Sequence, residues 1–131
     1  MHALPFRSRN DYFKVAQDWW EVWHGNRIRA DILSSYGIVV LDKTGPLALG
    51  YLFPPIGSGM CILGWVITNP NVSKFRAGKA IKLLIQAAED ESKLLGYSVL
   101  YVQTDSTAVQ KVCLSRDYHV GAVVQEFLKG L

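Results

Sequence analysis

The chain has 131 residues, with 14 Lys and Arg against 11 Asp and Glu for a net charge of +3, and is 50% hydrophobic and 19% charged. That describes one globular domain, taken as residues 1–131, and excludes a disordered chain; no apolar run reaches the roughly 18 residues of a membrane span. A charge of +3 is too mild to imply nucleic acid. The two cysteines, Cys61 and Cys113, lie in no C-x-x-C or Cys/His spacing, so no metal site is expected and both are read as free thiols. The N-terminal MHALPFRSRNDYF lacks the apolar core of a secretory signal, which makes the cytoplasm the expected location.

Residues 10–24 read as a first helix, with Ser8 or Asn10 as N-cap and Gly25 as the stop. Its apolar face is Tyr12, Val15, Ala16, Trp19 and Trp23, with Trp19 and Trp23 expected in the core, Trp20 on a partly exposed flank and His24 as a cap. Residues 26–36 are irregular, with Ile28, Ile32 and Leu33 allowing a short second helix. GIVVLD at 37–42 and PLALGYLF at 46–53, joined by a DKTG turn, predict an antiparallel hairpin. MCILGWVIT at 60–68 is a third strand, ended by NPN.

The stretch 71–96 predicts a long amphipathic helix, with Ile81, Leu84, Ile85, Ala88 and Leu95 on one face and Gly96 ending it with positive φ. Its first half carries Lys74, Arg76, Lys79 and Lys82 and its last half Glu89, Asp90 and Glu91, the reverse of what suits the helix dipole. No acidic residue occurs between Asp42 and Glu89. A positive face with Gly78 and Ala80 beside unpaired helix-start N–H groups suits a phosphate; the alternative is a solvated lysine face. Residues 98–104 follow a helical crossover and are expected parallel to 60–68. A shorter helix over 106–118 has Ser106 as N-cap and Val109, Val112 and Cys113 inward, and the end, HVGAVVQEFLKGL, is expected to hold a last strand. The plan is α+β, a mostly antiparallel sheet with one parallel strand pair and helices on its faces.

This order resembles the GCN5-related N-acetyltransferase (GNAT) family across nearly the whole chain. FRAGKA at 75–80 resembles the family's pyrophosphate-binding Q/R-x-x-G-x-G/A, with Gly78 and Ala80 in place and Phe75 where Gln or Arg is usual; Arg76 and Lys74 are expected to cover for it. STAVQKVCLSRDY is similar to the family's NxxAxxLYxxxGF-like segment, with Ser106 on the Asn, Cys113 on the Tyr and Asp117-Tyr118 on the Gly-Phe. The WWEVWHG helix, the WVITNP strand end and a C-terminal K-x-L also look like small phage-encoded GNAT-like proteins, which would put the chain in a host cytoplasm.

The resemblance implies an acetyl-CoA-dependent N-acetyltransferase. The donor would lie between the splayed strands 60–68 and 98–104, with its carbonyl held by a backbone N–H at Val66 or Ile67. Its pyrophosphate would sit on Lys74, Phe75, Arg76, Ala77, Gly78, Lys79 and Ala80, beside Ser106. The family's strand Glu is absent from MCILGWVIT, which leaves Asp105 as base candidate, with His24 second, and Cys113 as acid candidate. Their bland readings are a turn or cap residue for Asp105 and a small buried hydrophobe for Cys113. The acceptor, an amine of a protein or small molecule, would meet Trp20, His24 and the region of His119. Expected partners are a CoA thioester and that acceptor, with no membrane and no nucleic acid, and a homodimer left open. The competing functions are a catalytically weak or inactive binding or inhibitory module acting on a host protein, favoured by the missing Glu and Tyr, and nucleic-acid modification, disfavoured by the low charge.

Overall fold

The computed structural model describes residues 1–8 and 11–131. Five strands form one sheet in the order β1 (His2–Phe6), β2 (Tyr36–Asp42), β3 (Gly45–Phe53), β4 (Met60–Thr68) and β5 (Val99–Val102). The first three pairings are antiparallel, and β4 with β5 is parallel. Helix α1 (Phe13–His24) precedes β2, α2 (Lys74–Leu94) makes the crossover from β4 to β5, and α3 (Thr107–Ser115) follows. No described helix is long and apolar enough to cross a membrane.

The alternation of β2 explains the layering. Ile38 and Val40 enter one buried cluster with Ile81, Leu84, Ile85, Ala88, Val109 and Cys113 of α2 and α3, while Val39 enters the other with Phe6, Ala16, Leu49, Tyr51 and Ile67 beneath α1. Helices therefore cover both faces. Helix α2 packs tightly over β3 at Gly50, where a Cβ would come within 2.8 Å of Leu84 Cδ2. Gly96 ends α2 at a φ of +92°, and the Tyr97 N–H returns to the Ser92 carbonyl at 3.0 Å, a Schellman closure.

Several expectations are corrected. Strand β1 is an addition: Pro5 argues against a strand, but β1 is the sheet edge, where proline is tolerated. Helix α1 starts at Phe13 behind Tyr12, without a side-chain cap; Ser8 is not its N-cap, and Asn10 lies outside the described residues. The expected second helix is one 3-10 turn, Ala30–Ile32. Trp23 is not core but 54% exposed, whereas Trp19 and Trp20 are half-buried against the α1-side cluster. Leu95 lies on the surface as the C-cap of α2, and the buried stripe ends instead with Glu91 and Ser92. The expected last strand is absent, since 119–131 has no regular structure. Its exposed apolar residues Val120, Val123, Val124, Phe127, Leu128 and Leu131 recur every three or four positions, which gives a strand no single apolar face.

Candidate functional site

The end of β4 is irregular and loses its pairing on both sides. Its ladder to β5 stops at Leu63–Val102, and only the Gln103 N–H to Leu63 carbonyl bond, 3.0 Å, follows. Beyond Leu63 the two strands separate. On the other side the pairing with β3 shifts register, so that Trp65 and Val66 together oppose Gly50: a β-bulge. Trp65 takes a φ of +52° there, a costly conformation for a bulky L-residue and one that concentrates at functional sites. Val66 consequently has no register partner on either side, while Ile67 pairs with Leu49.

From the bulge the chain runs into the start of α2. Asn69 builds the connection, its N–H reaching the Leu47 carbonyl at 2.9 Å and its side-chain oxygen accepting from the Asn71 N–H at 2.9 Å. Ser73 caps the helix by accepting from the Arg76 N–H at 3.2 Å, and the Ala77 N–H is the first to bond within the helix, to the Ser73 carbonyl. The segment 75–80 thus lies within the first two turns of the helix. The N–H groups of Lys74 and Phe75 are left to face an anion. A Cβ at Gly78 would meet nothing within 4 Å, so the surface above it is open. Phe75 is 72% exposed, with the Lys79 ammonium 4.5 Å from its ring centre.

Arg76 is engaged by the β2–β3 turn. Its guanidinium pairs with Asp42 of the β2–β3 turn and reaches the Thr44 hydroxyl at 3.4 Å. The Asp42 carboxyl is pulled down to about 2, chiefly by the Thr44 hydroxyl and N–H and then by Arg76. The positive charge free to meet a ligand is that of Lys74, Lys79 and Lys82.

Helix α1 closes the other wall. The Trp20 ring meets Trp65 edge-on at 4.8 Å, stacks on His24 at 3.7 Å and donates its indole N–H to Asn26 Oδ1 at 2.9 Å. Trp23 donates its own N–H to the Thr68 carbonyl at 2.8 Å. Trp20 is therefore brought to the bulge at Trp65, with His24 stacked on it.

Asp105 and Cys113 do not meet. Asp105 is exposed just after β5, and the cap of α3 is Ser106, which accepts from the Val109 N–H, so Asp105 is no cap. Cys113 lies six residues past Thr107, the first residue of α3, about 9 Å along the helix at 1.5 Å per residue. It is buried, and burial together with Glu89 pushes its thiol up. Asp117 takes the left-handed φ of +65°, and the Tyr118 N–H returns to the Cys113 carbonyl at 3.1 Å. Asp is among the few side chains that tolerate this conformation in place of glycine. Tyr118 donates to Glu89 Oε2 at 2.9 Å, while Arg116 grips both Glu89 oxygens at 2.9 and 2.6 Å. This network fastens the end of α3 to α2; Arg116 holds the Glu89 carboxyl low, and burial followed by Glu89 drives the Tyr118 hydroxyl up.

Trp65, Trp23, Asp42 and the Glu89 network escaped the sequence reading. Only Trp65 left a trace, as a bulky residue after Gly64 in an otherwise regular strand. Among the described residues no group of three or more His, Cys, Asp or Glu could hold a metal ion.

No family model and no curated protein matches the sequence. Among solved structures, the chain is similar to a probable acetyltransferase with a TM-score of 0.69 and 14% identity, over 100% of this chain and 98% of that one. It is similar to an aminoglycoside acetyltransferase from an uncultured soil metagenomic sample in complex with sisomicin, with a TM-score of 0.62 and 17% identity over 98% and 95% of the two chains. It is also similar to an aminoglycoside N-acetyltransferase in complex with CoA, with a TM-score of 0.64 and 13% identity over 98% and 99%. At these identities the likeness is one of fold, and the chain shares the fold of these acetyltransferases.

Proposed function

We propose that the chain transfers an acetyl group from acetyl-CoA to an amine in the cytoplasm. The observation that carries this reading is the bulge at Trp65–Val66, which sits where β4 parts from β5 and on the strand that leads into the basic start of α2. One cleft thereby offers backbone N–H groups for a carbonyl at one end and for a pyrophosphate at the other. Lys74 and Lys79, with the N–H groups of Lys74 and Phe75 and the open surface at Gly78, hold the pyrophosphate. Val66, unpaired on both sides, is better placed than Ile67 to donate to the acyl oxygen.

The acceptor nitrogen attacks the thioester carbon, so that the C–N bond forms as the C–S bond breaks. The nitrogen's proton passes to Asp105 or water. The departing thiolate takes a proton from water or from Cys113, which burial keeps protonated at neutral pH. A second reading, a binding module that keeps the fold without turnover, draws on Cys113 standing within the core and on the lack of a carboxylate along β4. Thiol release from acetyl-CoA in the presence of an amine panel separates the two readings: release above the acceptor-free rate supports transfer, and tight CoA binding without release supports the module.

A further inference from the structure

We infer that the acceptor side of this cleft takes an amine of single positive charge carried on a flat or apolar body, and that it selects against polycations. The inference rests on the acyl-transfer reading for the identity of the site. Four rings, those of Trp20, Trp23, His24 and Trp65, line the wall that α1 makes with the end of β4. Trp23 is 54% exposed, so this wall presents an aromatic surface to solvent.

The two carboxylates of α1 are already paired with cations. Arg27 pairs with both Asp18, at 3.2 Å, and Glu21, and Lys14 adds a second cation 3.6 Å from Asp18. At the β2–β3 turn Asp42 is taken by Arg76. Beyond Asp105, which serves a single ammonium as well as several, a polycation finds only paired carboxylates on α1 and meets the positive start of α2. A lone ammonium on an aromatic or aliphatic body gains twice, because the ring faces attract its charge and the apolar wall covers its body. The orientation of the wall is fixed, since Trp20 and Trp23 are anchored by indole N–H bonds to Asn26 and to the Thr68 carbonyl.

The test uses the full chain at saturating acetyl-CoA, measuring thiol release with phenethylamine and with sisomicin as acceptors, together with quenching of tryptophan fluorescence by phenethylamine alone. The expected result is a kcat/KM for phenethylamine at least about tenfold above that for sisomicin. Trp23→Ala should raise the phenethylamine KM by roughly 5- to 30-fold, the size of a lost ring contact, without moving the KM for acetyl-CoA. Trp23→Phe, which keeps a ring, should recover part of the loss. A preference for sisomicin, or an unchanged KM in Trp23→Ala, overturns the inference and leaves acyl transfer standing. Saturable quenching without turnover of any amine keeps the aromatic site and removes the acyl-transfer reading; no quenching and no turnover removes both.

Discussion

The ring of Trp20 meets the ring of Trp65 edge-on at 4.8 Å, so α1 rests on the only described non-glycine strand residue with a positive φ. The bulge aims Trp65 at α1, and α1 in turn covers the bulge. Replacing Trp65 therefore changes backbone strain and packing together, and the two separate by choice of substitution. Trp65→Gly should be more stable than Trp65→Val by about 1 kcal/mol, although valine keeps more apolar surface, because a β-branched residue resists this φ. Urea midpoints of the two variants decide it; a valine variant at least as stable as the glycine variant contradicts the bulge.

The Asp42 carboxyl is held at about 2, below the ordinary value of 3.8, by Thr44 and Arg76. A depressed carboxyl stabilises the fold fully above its unfolded value and loses that contribution as pH falls through its folded value. The melting temperature of the native chain should thus exceed that of Asp42→Asn by a constant margin above about pH 5, and the margin should shrink between about pH 4 and pH 2. A margin that stays flat over that window shows that the carboxylate is not held as described.

Glu89 accepts from both Arg116 and Tyr118 in a half-buried setting. Hydrogen bonds to a charged group of this kind are worth about 1.5–3 kcal/mol, and removal leaves Arg116 partly buried without its partner. Glu89→Ala should cost about 2 kcal/mol and Tyr118→Phe about 1 kcal/mol, with the double variant costing less than the sum. Additive losses in a denaturant cycle would show the contacts to be independent.

Cys113 stands within the core beside Val109 and away from Asp105, so its part in turnover should be small. Cys113→Ala is expected to lower kcat less than about tenfold while CoA binding is unchanged, because water replaces a weak acid at a leaving thiolate. Loss of turnover with folding and CoA binding intact would make the thiol the acid.

What was legible in the chain was local. Gly25 and Gly96 end their helices, Ser106 caps α3, and strands β2 to β4 follow their apolar runs, because each of these depends on residues within one turn or one strand. What escaped depends on pairings across the sequence. The bulge exists only in the register of β4 against β3, and the engagement of Arg76 depends on Asp42, 34 positions earlier. Strand β1 was hidden because Pro5 weakens a strand everywhere except at an edge, and edge position is a property of the assembled sheet. The tail misled in the opposite direction: a run rich in valine suggests a strand, yet its apolar residues do not alternate.

The most direct test of the account is calorimetric titration of acetyl-CoA into the native chain and into Gly78→Asp. A Cβ at Gly78 meets nothing within 4 Å, and an acidic residue near a helix start is favourable, so the variant should fold and melt like the native chain. The account predicts saturable binding by the native chain and none by the variant, whose carboxylate stands where the pyrophosphate must approach. Equal binding by both, or no binding by the native chain, contradicts it.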